Sequence, residues 1–364
     1  MAPANTTQPA LGKIRAAGGE LRTQSPTRPR SVEVIMKAAV PLPSLFREPP
    51  MPTRTPNFFS GRYLERVAHR RLDEAWLGSA SSDPTTLIVP VLKGRNFVAW
   101  TGNAAAAWFL PNVIAPSERD ALILLGEFRD RACFALDVSD FEMPAPPGVE
   151  ATELMMIAWQ MPAEEAGVLA YARGMVLWQE RHRFCGRCGA PTQSCSAGHL
   201  LVCSNEQCKH QLFPRIDPAI ITLITDGERA LLGRQASWPP GRYSTIAGFV
   251  EPGESLEDAV VREVEEETGI VIDVVDYHSS QPWPFPSSLM LGFIARARTT
   301  EIDLRDQELE DARWFTRHDI AVGNVLLPPP TSVSYRLIED WYDSHSERPL
   351  REEPGLVMWP TARR

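Results

Sequence analysis

No stretch of this 364-residue chain comes near about 18 consecutive uncharged apolar residues, which excludes a helical membrane span. Positive charge is also in deficit. With Lys+Arg at 37 and Asp+Glu at 46, the formal charge is −9. That argues against a sequence-independent coat on nucleic acid and leaves a specific nucleotide ligand open. Six cysteines are too few for a disulfide-built scaffold, and neither a collagen period nor a sustained heptad is present. Internal repeats and low-complexity tracts are absent as well. No apolar core of about 7–15 residues follows a basic start, so a secretory signal is not expected. The end, Thr361-Ala362-Arg363-Arg364, carries no peroxisomal address.

What the chain does have is an ordinary globular mixture, 43% apolar and 23% charged. Its length predicts two or three domains. Residues 1–54 hold eight Lys/Arg, three Asp/Glu and nine of the 33 prolines, with no helical or strand period. We expect residues 1–55 to be a disordered leader, with a transit peptide or a true start at Met36 or Met51 as alternatives. A cytoplasmic location is expected, and the basic leader leaves mitochondrial targeting open.

Residues 86–92 and 96–100 read as strands around a Lys93-Gly94-Arg95 turn, and 121–125 with 131–136 as another pair. Residues 56–180 are therefore a strand-rich N-terminal domain, closing in a helix from Pro162 to Arg181. In that helix Val168, Leu169, Ala172, Val176 and Leu177 share one face. Further strands, a glycine loop and a long helix fill 217–345, and 346–364 read as a tail.

Between those parts, Cys185-Gly186-Arg187-Cys188 is followed by Cys203 and Cys208. Two short-spaced cysteine pairs, a strand-turn-strand apart, suit tetrahedral zinc, and Gly186 and Gly189 let the backbone turn around the ion. A chain without a secretory signal is expected in a reducing compartment, which disfavours two disulfides. Residues 181–216 are thus expected to be a ribbon holding one Zn²⁺ by Cys185, Cys188, Cys203 and Cys208. Four protein ligands leave no open position, so the ion is structural. Cys133 and Cys195 read as bland thiols.

The strongest signal runs from Gly248 to Ile270. Ser255 and Asp258 suit a capping box, and Gly269 suits a left-handed helix stop. At about 100° per residue, Glu263, Glu266 and Glu267 fall within one arc of the helix, whereas Glu265 points the other way. Carboxylates so crowded call for compensation, which Mg²⁺ or Mn²⁺ supplies well. Arg262 is placed to orient one of them. Gly248, Glu254, Arg262, Glu263, Val264, Glu266, Glu267, Gly269 and Ile270 fit every fixed position of G-x5-E-x7-R-E-U-x-E-E-x-G-U. The segment resembles the Nudix box. That implies an α+β fold, an αβα Nudix sandwich, which hydrolyses nucleoside diphosphates linked to another group.

Ten residues on, Ser280, Gln281, Pro282, Trp283, Pro284, Phe285, Pro286, Ser287 and Ser288 form a stiff loop of alternating prolines and aromatics. After a Nudix box and a four-cysteine ribbon it resembles the SQPWPFPxS signature of NADH pyrophosphatases. The resemblance implies metal sites at the Ala247 carbonyl, Glu263, Glu267 and Glu308, with Glu266 activating water. It also implies substrate contacts at Gln281 to Ser288, at Phe249, at Phe213 (where bacterial relatives commonly carry tyrosine) and at Ser334, together with a homodimer. The expected reaction is cleavage of the NAD(H) pyrophosphate to nicotinamide mononucleotide and AMP, with NAD-capped RNA as a related substrate. A zinc-ribbon nucleic-acid-binding module carrying a broad-specificity or degenerate Nudix domain is the alternative, against which the intact acids argue. A basic patch near Arg181, His182, Arg183, Lys209 and His210 is the one local candidate for an RNA track.

Overall fold

The computed structural model describes residues 55–114, 116–140, 145–304 and 308–359. The expectations for the basic leader, Met36 and Met51, and for the last five residues, lie outside the described residues.

The N-terminal half is one seven-stranded sheet. Its strands are β1 (Leu64–Glu65), β2 (Leu87–Leu92), β3 (Arg95–Thr101), β4 (Asn103–Ala106), β5 (Ile123–Phe128), β6 (Arg131–Asp137) and β7 (Val149–Thr152). They run in the order β1-β5-β6-β2-β3-β4, with β7 beside β3. Alternation explains why both faces are apolar: Leu87, Val89 and Val91 enter one core, and Ile88 enters the other. Helix α1 (Glu74–Ala80) and the short α2 (Leu154–Ile157) flank the sheet, and α3 (Ala163–Arg181) packs on the first core.

In α3 the structure departs from the one-sided face expected for it. Residues 165–170 are all buried, while Leu177 is only partly so. The reason is that α3 is sandwiched. The sheet covers one side, and on another Arg173 donates to the Gly94 carbonyl at 2.8 Å and to the carbonyl of Pro284, far along the chain. Glu165, which reads as a first-turn acid, is buried and accepts the Ala106 N–H at 2.9 Å.

Strands β8 (Thr192–Cys195), β9 (Leu200–Cys203) and β10 (Gln211–Leu212) form a small antiparallel sheet. The C-terminal half follows with β11 (Asp217–Thr225), β12 (Arg229–Arg234), β13 (Ile246–Phe249), α4 (Leu256–Thr268), β14 (Ile272–Trp283), β15 (Ser288–Ala297), β16 (Asp311–Thr316), α5 (Arg317–Ala321) and α6 (Val333–Asp343). The sheet order is β14-β15-β11-β12-β16, with β13 on β11 and only β11 and β15 parallel within it. Along β11, Ile220 and Ile224 point into the core with Val260 and Val264 of α4. Ile221 and Leu223 point into the core with Leu337 and Ile338 of α6. That two-sided burial is the αβα sandwich.

Residues 346–359 are not the detached tail their composition suggests. Leu350 is fully buried in the α6 core, and β18 (Val357–Met358) pairs in parallel with β17 (Leu326–Leu327). Trp359 then donates its indole N–H to the Leu326 carbonyl at 2.7 Å.

Candidate functional site

Strand β13 delivers the chain to a loop that ends at Ser255, where α4 begins. Ser255 Oγ accepts the Asp258 N–H at 3.1 Å, and the Asp258 carboxylate accepts the Ser255 N–H at 3.3 Å. Gly269 closes the helix at φ 69°, donating to Glu265 O at 2.8 Å. A side chain is tolerated poorly there, because only glycine adopts this region at no cost.

Within α4 the acids divide by depth. Glu263 and Glu267 are 9% and 3% exposed, whereas Glu265 and Glu266 are exposed. Arg262 holds the group together. Its Nε and Nη2 make a bidentate pair with Glu254 at 2.6 and 2.9 Å, and Nη1 reaches Glu263 at 2.9 Å and Glu266 at 3.0 Å. Nη2 also donates to the Phe249 carbonyl at 2.9 Å, tying loop to helix. The sequence suggested one carboxylate partner for Arg262, and the structure gives it three. Those bonds, with the Glu251 N–H, drive the Glu254 carboxyl down to about 2. Glu263 moves upward. Burial is the main cause, the Arg262 contacts oppose it, and the charges of Glu266 and Glu308 reinforce it.

Gly248 explains how Glu263 fits. A Cβ built there would lie 1.9 Å from the Glu263 carboxyl carbon, so this carboxylate fills the space a side chain would need. The resulting donor set consists of oxygens alone, and it suits a hard divalent cation. Among the described residues, however, only the four cysteines have their ligand atoms within 4.8 Å of one another. Glu254, Glu263 and Glu266 are instead spread along Arg262.

Ala247 and Glu267 line a cavity of about 480 Å³ together with Gln281, Trp283, Met290 and Ser334. The loop residues do different things there. Gln281 is buried and its amide is fully used: Nε2 donates to Phe58 O at 3.0 Å and Thr331 O at 2.7 Å, and Oε1 accepts from Val333 N at 2.8 Å. Phe285 packs on Phe59 and Trp283, with ring centroids 5.5 and 5.3 Å away. Ser287 Oγ donates to Asp217 at 2.7 Å. Pro282, Pro284 and Ser288 face a second cavity, and Trp283 lines both. Pro286 lines neither. The Ser334 hydroxyl accepts from Thr245 N and Thr245 Oγ1 at 3.2 and 2.8 Å, pinning α6 to the strand-13 approach. Phe213 and Phe249 are largely exposed and lie outside both linings.

In the small sheet, Cys185 Sγ and Cys208 Sγ are 3.9 Å apart, and Cys188 Sγ and Cys203 Sγ are 3.4 Å apart. Thiolates about 2.3 Å from a tetrahedral zinc would be separated by about 3.8 Å, so the four residues fit that ion. The Ala190 N–H leads in lowering the Cys188 thiol to about 7, while desolvation pushes Cys203 up to about 12.

Three family models cover these regions: an NADH pyrophosphatase-like rudimentary NUDIX domain at 85–178, an NADH pyrophosphatase zinc ribbon domain at 180–213, and a NUDIX domain at 215–340. The chain is 34% identical over 340 residues to human NAD-capped RNA hydrolase NUDT12, covering 78% of this chain and 73% of that one. It belongs to the Nudix hydrolases of the zinc-ribbon NADH pyrophosphatase family. Stutzerimonas stutzeri NAD-capped RNA hydrolase NudC is 39% identical over 232 residues (64% of this chain, 81% of the relative). Human NAD(P)H pyrophosphatase NUDT13, mitochondrial, is 35% identical over 257 residues (62% and 72%).

The Nudix cavity also has walls that sequence reasoning missed. Met155 and Met156 come from the N-terminal half, and Trp238, Arg242 and Trp359 from segments with no motif. Trp238 and Trp359 have ring centroids 5.0 Å apart, and the Arg242 guanidinium lies 5.6 Å from the Trp359 ring. The basic patch singled out in the sequence is largely compensated. Lys209 pairs with Glu206 at 2.6 Å, and Arg183 with Asp140 at 3.6 Å. Among the described residues no helix is long and apolar enough to cross a membrane.

Proposed function

We propose that this chain hydrolyses the pyrophosphate bond of NAD(H) to nicotinamide mononucleotide and AMP, and that NAD caps on RNA are cut by the same chemistry. The observation that carries this is the meeting of two motifs in one cavity. Glu267 of the Nudix box and Ala247 just before it line the cavity, and so do Gln281 and Trp283 of the NADH-pyrophosphatase motif. The activities for which the relatives are named support the same reading.

Glu263, Glu267, Glu308 and the Ala247 carbonyl are the ligands we assign to Mg²⁺ or Mn²⁺. When bound, such an ion neutralises the pyrophosphate oxygens and eases departure of the leaving phosphate. Glu266, exposed and held by Arg262, accepts a proton from the attacking water. The new bond forms between water oxygen and phosphorus, the bridging P–O bond breaks, and its electron pair leaves on the other mononucleotide. Gln281 and Ser334 shape the cavity through their bonds to the protein. Phe249 and Phe213 are the rings assigned to the base. A homodimer, which the family resemblance implies, belongs to the same proposal. Parallel kinetics on NADH, NAD, ADP-ribose and NAD-capped RNA test the assignment. Equal efficiency on ADP-ribose and NADH, or no cleavage of any nicotinamide dinucleotide, would sink it.

A further inference from the structure

Beyond the Nudix cavity lies a second one, of about 540 Å³, within the range of about 300–1,000 Å³ typical of small-molecule sites. Helix α3, the segment 59–71 and the 282–288 loop wall it, and Trp283 is common to both cavities. Several of its polar groups are bonded within the protein, among them Tyr63 to the Phe59 carbonyl, Arg66 to Tyr171 and His199 to the Leu124 carbonyl, but not all are. Arg66 and Arg71 line it, and neither forms an ion pair among the described residues. Arg71 Nε is buried with no hydrogen-bond partner among those residues. So is the indole N–H of Trp178, a side chain only 5% exposed. A buried donor left unmade costs about 1–3 kcal/mol, so its retention points to an acceptor supplied from outside.

The chemistry of that acceptor follows from the walls. In a chain of net charge −9, where Arg183 and Lys209 have acidic partners, two arginines without one favour an anion. Tyr63 and Tyr171 add flat faces beside them, and the Arg66 guanidinium lies 4.2 Å over the Tyr171 ring. The local field is felt nearby. His199 is lowered to about 4, chiefly by burial, with Arg71 and Arg66 adding to it against the Leu124 carbonyl. We propose that this cavity is a second nucleotide site, which takes a base-bearing phosphate on Arg66, Arg71 and the Trp178 N–H. It is separate from the Nudix-box cavity and shares Trp283 with it. The proposal does not depend on which pyrophosphate the box cleaves. Two sources share this chemistry: a free mononucleotide, and the first nucleotide after the cap of a capped RNA.

The test is to titrate the full-length, zinc-loaded protein with AMP in divalent-free buffer and follow tryptophan fluorescence. AMP affinity should fall about tenfold or more in both Arg66→Gln and Arg71→Gln, and persist in Glu263→Gln. Arg66 is exposed, so its variant keeps the test open if Arg71→Gln does not fold. Wild-type affinity in Arg66→Gln, or a loss in Glu263→Gln as large as in the arginine variants, overturns the proposal. A short NAD-capped RNA separates the sources. If the RNA is the source, kcat/KM for capped RNA falls in Arg66→Gln while NADH hydrolysis is unchanged. If a free mononucleotide is the source, what disappears is the effect of AMP on NADH turnover.

Discussion

The carboxylate of Glu263 rests against the α-carbon of Gly248, in space that any side chain at 248 would have to take. The glycine is therefore a requirement of the acid and not of the turn. Gly248→Ala should displace Glu263 and cut turnover by about 100-fold, because a shift near 1 Å at a reacting centre has that effect. Steady-state kinetics beside a thermal melt will check this, and wild-type turnover in a folded variant would refute it.

Direction around α4 gives a second expectation. Glu263→Gln, Glu266→Gln and Glu267→Gln should each lower kcat by roughly 100-fold or more. Glu265→Gln lies on the solvated side and should stay within about twofold. Equal losses at all four positions would contradict the division of the helix.

Gln281 is expected to matter for stability before it matters for substrate. Gln281→Leu leaves the Phe58 and Thr331 carbonyls and the Val333 N–H without their partner. Unfolding free energy should drop by about 3 kcal/mol. Chemical denaturation that left stability intact while KM rose would instead make Gln281 a substrate contact.

Zinc should hold the ribbon and take no part in the reaction. One ion per chain is expected by elemental analysis, and Cys185→Ser should lower the melting temperature while activity per folded molecule survives. Metal-free protein with an unchanged melt would refute it.

His199 supplies a pH dependence. Its folded pKa is depressed from 6.5 to about 4, so below pH 6.5 the unfolded chain binds the proton more readily. Stability is full above about pH 6.5 and is lost as pH falls to about 4, by an amount of order 3 kcal/mol. Melts of wild type and His199→Gln across that window should diverge from wild type's steeper loss. Parallel curves would remove His199 as the cause.

The parts legible in the sequence are those set by spacing along one element. Helical geometry brings Glu263 and Glu267 to one buried face, and the cap residues Ser255, Asp258 and Gly269 act within a turn of their own helix. The cysteine cluster is local in the same sense. What was hidden depends on partners far along the chain. The use of Gln281 on Phe58 and Thr331, the unbroken burial of residues 165–170 in α3, and the walls given by Met155, Arg242 and Trp359 follow from packing that no local period encodes. Residues 346–359 are fixed by Leu350 in the core, by the β17–β18 pairing and by the Trp359 indole, all partners outside the segment.

The bonds from Asn57 to Ser279 and Ser280 span more than 220 residues of chain. During synthesis, the first described residues leave the ribosome long before strand β14 exists to receive them. Bringing such distant ends together is an entropic cost that must be met before the contact rewards it. The N-terminal sheet can close on α3 early, but residues 57 and 58 have to wait for the catalytic half, which makes their docking a late event. A fragment beginning at residue 215 would therefore expose the Gln281 amide that Phe58 normally covers, and the catalytic half matures as part of the whole chain.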